Sequence, residues 1–510
     1  MKGLNATLFL ILPLITAFLL PLGALVHKRF GKMLNLATYG IGIGLGITML
    51  IPTLLTGGAV LNMGGWPAPY GISLYLGPLA LCSGIVIYLI ALLIEINDIN
   101  KSRTTYYHLL FNLFVFASIA MVMTTDIFNL FVMMEIGSIA VAGMASSANM
   151  RMGSRGGFKY IVMSGLVSML MLAAIGLLYS ATGTLNIAHL ASRTADVLNP
   201  SFALIVGLGI LFALFFEMEQ FPFNSWIPEI YEGSSSSFTA ALAGIGGIAG
   251  TAVLGRIVFT LLQDGYLFYG TFAKLSAVIF TVAIASIVIG EIAALNEKNL
   301  KRTLGYSSVA QFGLILAAFA CGGSNGALAG IYLALSHTVA KPALLFIAGY
   351  FTRVSGSGDW RDMKGIGRKF PLLAGAFIAA SLSIMGVPLF FGFWGKFELL
   401  QVLLKSGVFG AVAFGAVLFG SIFEGIYLLR IGHSFFVQTS KENMTRYQPK
   451  GTLLTAVPVL ILVALIVFLG VYPQSIVRSF ERIAADLVDK AQYVKFVLPT
   501  AALLPPGGGL

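Results

Sequence analysis

The chain has 510 residues, of which 58% are hydrophobic and 10% are charged, and its mean hydropathy is +0.92. Because a soluble domain carries about 25% charged residues, this composition excludes an ordinary soluble protein. The net charge of +11 does not indicate nucleic acid binding, since the basic residues lie in short loops between long apolar runs.

The apolar runs predict an all-α polytopic membrane protein with about fourteen spans, because each is close to the length that crosses a bilayer. Their lack of period-two alternation argues against a transmembrane barrel. We expect a break at Pro388 in the twelfth span and bends at Pro222 and Pro342. Residues 475–496 are typical of an amphipathic surface helix. The predicted spans are 4–26, 34–56, 73–96, 106–124, 126–148, 158–182, 202–226, 237–262, 271–294, 304–322, 326–352, 371–404, 407–434 and 451–473.

The loops carry an alternating charge pattern. Basic residues follow the odd-numbered spans, as in "HKRFGK" after the first and "NEKNLKR" after the ninth, whereas loops after even-numbered spans are nearly free of them. The acidic loop after the seventh span, with Glu229 and Glu232, is the exception. Since basic loops stay in the cytoplasm, we predict a cell-membrane protein with both termini on the outer side.

The fifth span, in "MTTDIFNLFVMMEIGSIAVAGM", contains two acids. An ionisable side chain at membrane depth is by default a functional candidate, so Glu135 is a predicted ion-pathway residue, with a packing role as the alternative. Asp126 lies at the start of the span. It is either a secondary candidate or a helix cap.

The seventh span ends in "FFEMEQFPFNSWIPEIYE", where Glu217 and the secondary candidate Glu219 precede Pro222. Irregular backbone at membrane depth is tolerated where it is buried in protein or lines a wet cavity. The two acids are therefore expected either to carry protons or to lie solvated at the membrane interface.

The eleventh span contains His337 and Lys341, which are four residues apart and share one helix face. Both can exchange protons, and packing does not require either of them in an apolar span. Together they are predicted to form a proton relay.

Lys396, past the break at Pro388, either joins the relay or reaches back to the interface. Glu424 is a secondary candidate. Arg256 and Arg430 are expected to be interfacial anchors. No nucleotide-binding motif and no Cys/His cluster is readable, so no cofactor or metal site is predicted in this chain.

These motifs resemble the antiporter-like subunits shared by Mrp-type sodium/proton antiporters, respiratory complex I and membrane-bound hydrogenases, over roughly residues 70 to 435. "DIFNLFVMMEIGSIA" resembles the family's fifth-helix signature, with Glu135 on its key glutamate. "LSHTVAKPALLFIAG" resembles the broken eleventh helix, with His337 and Lys341 on the central relay. "MGVPLFFGFWGKFELL" resembles the broken twelfth helix, with Lys396 on the terminal lysine. "NLKRTLGYSSVAQFG" and "FPFNSWIPE" resemble the tenth-helix and seventh-helix motifs.

The resemblance implies two inverted five-helix repeats, each with one broken helix, the seventh and the twelfth. The corresponding organisation is 1–105 for helices 1–3, 106–262 for the first repeat, 271–434 for the second, and 451–510 for helix 14 with the amphipathic segment.

Two positions depart from the family pattern. The family's seventh-helix lysine falls on Glu217, so Glu135 would face another acid, and the eighth-helix base falls on Ile248. Either the two carboxylates share a proton or a sodium ion, whose preferred ligands are oxygens, or the first half-channel no longer conducts.

The resemblance thus implies an ion-translocating subunit of a multi-subunit membrane complex that moves H+ and possibly Na+. Iron–sulfur or flavin cofactors would lie on partner subunits, and the other partners would be neighbouring membrane subunits and the lipid bilayer. The alternatives are a degenerate paralogue with a structural or coupling role, and a self-sufficient transporter of a small solute.

Overall fold

The computed structural model describes residues 2–26, 30–101, 103–147, 151–193, 198–263, 266–268, 270–438, 447, 451–475 and 477–499. Within these ranges, thirteen helices are long and apolar enough to cross a membrane. A further crossing is made of two shorter segments, which confirms the prediction of about fourteen spans. The basic loop residues at 27–29, 441–446 and 448–450 lie outside the described ranges, as does 500–510 of the C-terminal segment.

Helices make up nearly all of the described secondary structure. They are α1 (Lys2–Val26), α2 (Phe30–Thr56), α3 (Pro78–Asp98), α4 (Thr105–Met123), α5 (Ile127–Ser146), α6 (Arg151–Thr182), α7 (Pro200–Glu217 and Ile227–Gly233), α8 (Ser236–Gln263), α9 (Phe272–Asn296), α10 (Leu300–Cys321), α11 (Gly323–Ser355), α12 (Pro371–Met385 and Gly392–Leu403), α13 (Gly407–Ser434), α14 (Thr452–Val471), α15 (Val477–Val488) and α16 (Lys490–Val497).

Short elements occupy some of the connections. Helices Ile187–Ser192 and Ile366–Lys369 precede α7 and α12. Strand β1 (Val60–Asn62) pairs antiparallel with β2 (Ser73–Tyr75), with Leu61 opposite Leu74.

Both predicted breaks are present, and they share a backbone feature. The segments of α7 are separated by residues 218–226, which contain Pro222, and those of α12 by residues 386–391, which contain Pro388. Among the described residues, Glu219 (φ 56°) and Leu389 (φ 77°) are the two non-glycine residues with positive φ, one in each break. A left-handed conformation costs such a residue roughly 1–2 kcal/mol, so the surrounding packing must hold both turns in place.

Two predictions about the membrane helices need correction. The third helix begins at Pro78 and not at residue 73, because Ser73–Tyr75 pairs as a strand and Pro78 occupies the first helical turn, where its missing N–H costs nothing. The eleventh helix is not broken: α11 continues through Lys341 and Pro342. Proline is tolerated inside membrane helices where neighbours satisfy the backbone, and here α8 packs against the proline ring.

Helices α8, α10 and α11 form the centre of the molecule. In their most apolar stretches, 94%, 89% and 100% of residues are buried, against 28% in α2. Close packing in this centre depends on glycine: a β-carbon at Gly247 of α8 would lie 2.7 Å from the Phe312 ring of α10. Helix α8 also contains two π-helical stretches, Leu242–Gly246 and Arg256–Gln263, a feature frequent at functional sites.

The C-terminal amphipathic segment forms two helices, α15 and α16, where the sequence predicted one. Asp489 between them caps α16 by accepting the Gln492 N–H at 2.8 Å. Helix α15 buries Phe480, Ile483 and Leu487 against the protein.

Arg256, which was expected to be an interfacial anchor, binds the C-terminal helices. Its guanidinium lies 2.8 Å from the Asp486 carboxylate of α15 and 4.4 Å from the centre of the Tyr493 ring of α16. The ion pair is mostly buried, with side-chain exposures of 11% and 5%. Arg256 therefore fastens the C-terminal helices to the end of α8.

Candidate functional site

Lys396 and Glu424 form a buried ion pair where the break in α12 meets α13. Lys396 Nζ lies 2.6 Å from Glu424 Oε2, and the two side chains are 8% and 0% exposed. Lys396 also donates to the Met385 carbonyl at 3.1 Å, at the end of the first α12 segment, where terminal carbonyls lack helical partners. Gln311 of α10 donates to the second Glu424 oxygen at 2.7 Å. The pair thus has the additional hydrogen bonds that a buried ion pair requires.

Lys341 is fully buried within α11 and donates to the Ser307 hydroxyl of α10 at 2.6 Å. Its charge interacts with Glu424, Glu291 and Glu219, in that order of strength. The ion pairs among the described residues do not include Lys341. Because its hydrogen-bond partner is neutral, Lys341 can gain or release a proton without breaking a salt bridge.

His337 lies one helical turn before Lys341 and is 2% exposed. Its ring centre is 4.4 Å from that of Phe312, and its charge interacts with Lys341. Neither ring nitrogen has a hydrogen-bond partner among the described residues. Leaving a buried polar nitrogen without a partner costs about 1–3 kcal/mol, which favours binding of a water molecule to the ring. The His337 ring is therefore available to bond to water or to take part in proton exchange.

Glu219 lies in the break of α7 and points inward. It is 4% exposed and accepts a hydrogen bond from the Tyr231 hydroxyl at 3.2 Å. Its charge interacts with both Lys341 and Glu217. The left-handed turn at this residue thus coincides with a buried acid, and positions of that kind cluster at functional sites.

Glu217 and Glu135 are both half-buried, and their charges interact with each other. Neither has an ion pair or a hydrogen bond among the described residues. Glu217 and Glu219 line a cavity of about 20 Å³ together with Tyr160 and Trp226, enough for one water molecule. The Trp226 indole N–H has no partner in the described structure and is a donor available at this cavity.

These side chains form one electrostatically connected row. Charge interactions lead from Glu135 to Glu217, from Glu217 to Glu219, and from Glu219 to Lys341. Lys341 in turn interacts with Glu424 and Lys396. The row therefore draws on five different helices, α5, α7, α11, α12 and α13, and we call it the central row.

Asp126 and Ile248 lie outside the central row. Asp126 is the N-cap of α5, where its carboxylate accepts the Asn129 N–H at 2.8 Å. Ile248 of α8 is 4% exposed and lines a small apolar cavity with Leu79 and Phe319. The described residues that line this cavity include no lysine, arginine or histidine. A β-carbon at the neighbouring Gly247 would lie 3.8 Å from His337 Nδ1.

Three residues of this site were not predicted from the sequence. Glu291 of α9 is 2% exposed and interacts with Glu424, and Ser307 and Gln311 of α10 bind Lys341 and Glu424. Glu291 lies inside the predicted ninth span, so the rule that selected Glu135 would also have selected it. Ser307 and Gln311 carry no charge, and nothing in the sequence distinguishes them from packing residues.

The described residues contain no group of three or more His, Cys, Asp or Glu side chains arranged to hold a metal ion. The two cysteines, Cys82 and Cys321, are free.

Comparison with known proteins connects this geometry to a family. The family described as "NADH:quinone oxidoreductase/Mrp antiporter, TM" matches residues 124–423, which include the whole central row except Glu424. An NADH-quinone oxidoreductase subunit of Desulforudis audaxviator is 28% identical over 92% of this chain and 96% of its own length. A Na(+)/H(+) antiporter subunit of Alkalihalophilus pseudofirmus is 27% identical over 96% and 98%.

Solved structures show the same fold. A chain of the membrane-bound sulfane sulfur reductase, an archaeal respiratory membrane complex, superposes with a TM-score of 0.89 at 30% identity, covering 97% of this chain and 99% of that one. A chain of the Mrp complex from Dietzia superposes with a TM-score of 0.84 at 23% identity, covering 97% and 100%.

Proposed function

We propose a function from the premise that this chain belongs to the NADH:quinone oxidoreductase/Mrp antiporter transmembrane family. It is an antiporter-like, ion-translocating membrane subunit, as are its relatives in antiporter and respiratory complexes. Its work is to pass protons along the central row. The single observation that carries this proposal is the connection from Glu135 to Lys396 through Lys341.

Proton movement along such a row needs groups that change charge in turn. Lys341 is bonded to a neutral hydroxyl and interacts with acids of α7 and α13, so it can exchange protons with either. The Lys396–Glu424 ion pair lies at the far end of the row. At the near end, Glu135 and Glu217 form a carboxylate pair that can share a proton or a sodium ion.

The complex around the subunit supplies the energy. In our proposal the chain assembles with other membrane subunits in the cell membrane, with its basic loops inside and both termini outside. A redox-driven complex would carry its iron–sulfur or flavin groups on those partners, whereas an antiporter would use an existing gradient. H+ is the main ion moved, and Na+ is a second one if the carboxylate pair binds it.

A second candidate function is a structural or coupling role without a complete proton path. It is favoured by one observation: within the described residues, no lysine, arginine or histidine pairs with Glu135 or Glu217. The resemblance described above also implies that Ile248 stands where the family has its eighth-helix base. In that case the first half of the row would not conduct, and the subunit would connect its neighbours.

Substitution of Lys341 in the assembled complex tests the proposal. Lys341→Ala removes the proton carrier, and Lys341→Arg keeps the positive charge but cannot release a proton. We expect both to abolish proton transport into vesicles that contain the complex, while Lys405→Ala, at an exposed lysine between α12 and α13, leaves it unchanged. Normal assembly with unchanged transport in Lys341→Ala would instead establish the structural role.

A further inference from the structure

A second group of charged side chains surrounds a cavity of about 240 Å³ where α3 and α11 end and α8 and α10 begin. None of its side chains belongs to the central row. Because these helix ends alternate along the chain, they lie on one side of the membrane, the side on which the basic loops are predicted. The side chains that matter below are Lys101, Arg103, Lys301, Arg353, Ser234 and Thr352, all of which line this cavity, the basic cavity.

Positive charge exceeds negative charge around the basic cavity. Two of its four cations, Lys101 and Arg103, share one carboxylate, Asp98, at 2.5 and 2.9 Å. The other two, Lys301 and Arg353, form no ion pair among the described residues. Among the described residues, Asp98 is thus the one carboxylate that forms an ion pair with these four cations, while Glu95 interacts with Arg103 at longer range. The lining of this partly enclosed space therefore carries an excess of positive charge. Like charges around one cavity repel one another, and a bound anion would offset this repulsion.

The acid nearest to Lys301 does not remove this excess. Glu232 interacts with Lys301 at longer range, but it forms its ion pair with Arg302, at 3.2 Å. Lys301 is 7% exposed and donates to the Ser234 carbonyl oxygen at 2.6 Å. Its remaining two N–H donors are free to bind an anion.

Unpaired hydroxyl groups provide an independent indication of a ligand. Ser234 is 4% exposed, and its Oγ has no hydrogen-bond partner among the described residues. The Thr352 Oγ1 on α11 is likewise unpaired. Buried hydroxyl groups are nearly always hydrogen-bonded, so two orphans in the lining of one cavity indicate a site for an acceptor-rich group.

We propose that the basic cavity binds a phosphate group. Arginine and lysine together with hydroxyl donors match the charge and the acceptor oxygens of phosphate, and Arg353 offers a planar fork of donors. The phosphate belongs either to the headgroup of an anionic phospholipid or to a free phosphate ion, since basic pockets between membrane helices on the cytoplasmic side bind such headgroups. The site is independent of the ion pathway proposed above.

Ligand binding to the purified complex tests this proposal directly. The wild-type complex in a neutral detergent is titrated with cardiolipin, with phosphatidylcholine, and with inorganic phosphate, and its melting temperature and bound phosphorus are measured. The test variant is Arg353→Gln, at an exposed cation without an ion pair. The matched control is Arg361→Gln, an exposed arginine in the loop after the same helix that does not line the cavity.

We expect cardiolipin or inorganic phosphate to raise the melting temperature of the wild type and of Arg361→Gln, and phosphatidylcholine to have little effect. In Arg353→Gln the apparent affinity should fall at least tenfold. A response to cardiolipin alone identifies a lipid headgroup, and a response to inorganic phosphate identifies a free anion. Equal binding by Arg353→Gln and the wild type would overturn the proposal. The proposal would also be overturned if the wild type bound neither ligand and contained no bound phosphorus. That result is expected if an acidic segment of a partner subunit fills the cavity.

Discussion

Individual side chains divide the central row into two chemically different halves. In the second half, Lys341 and Lys396 alternate with acids, and the Lys396–Glu424 pair is completed by Gln311. In the first half, which consists of Glu135, Glu217 and Glu219, only acids are present. Two neighbouring carboxylates at membrane depth are costly when both are ionised, so the pair is most stable when it holds one proton or one cation.

Glu217→Lys tests whether position 217 faces Glu135. A lysine there would replace the acid–acid contact with an ion pair, so we expect the complex to fold and assemble with an unchanged or higher melting temperature. The Glu217 stem packs near Gly250, and the longer side chain can extend into the cavity of about 20 Å³.

The control for this prediction is Glu217→Met, which has similar length and no charge. If Glu217→Lys failed to assemble while Glu217→Met assembled, the lysine would have found no counter-charge, and the placement of residue 217 opposite Glu135 would be wrong.

Whole elements were predictable from the sequence where a local signal decides them. Runs of about 20 apolar residues fix the membrane helices, and proline within "FPFNS" and "GVPLF" fixes the two breaks. The continuity of α11 through Pro342 was not predictable, because it depends on the packing of α8. Nor was the position of Arg256, whose partner Asp486 is 230 residues away along the chain. Ser307 and Gln311 were not predictable for the same reason, because an uncharged residue becomes part of the site through its tertiary neighbours alone.

The Arg256–Asp486 pair provides a prediction about the C-terminal helices. Asp486→Asn leaves a guanidinium with 11% exposure without its counter-charge, which costs about 3–5 kcal/mol in buried pairs. We expect α15 and α16 to detach from α8 and to become sensitive to limited trypsin digestion at Arg478 and Lys490.

A double substitution distinguishes charge from shape in this experiment. Arg256→Met combined with Asp486→Leu removes both charges and should restore most of the protease resistance, whereas Glu481→Gln, at an exposed acid of α15, should leave it unchanged. Equal resistance of Asp486→Asn and the wild type would mean that apolar contacts alone hold the C-terminal helices.

At the scale of the whole molecule, the question is whether the two halves of the central row work as one path. The inverted five-helix repeats, with bounds 106–262 and 271–434, stay a prediction, although each predicted repeat contains one broken helix. Glu219 and Lys341 connect the halves through the densely packed centre of α8, α10 and α11. A series of linked groups conducts only if each member can change its protonation in turn, so one inactive member stops the whole path.

Blocking each half separately tests this series arrangement. Glu135→Gln removes the titratable group at one end, and Lys396→Met removes it at the other. If the row is one path, each substitution alone should lower proton transport at least tenfold, and the double variant should be no slower than the slower single variant, because effects of groups that act as a unit do not add.

Glu398→Gln, at a half-buried acid two residues from Lys396, is the control and should transport normally. Additive losses in the double variant would indicate two independent paths. Normal transport in Glu135→Gln with loss in Lys396→Met would show that the first half is structural.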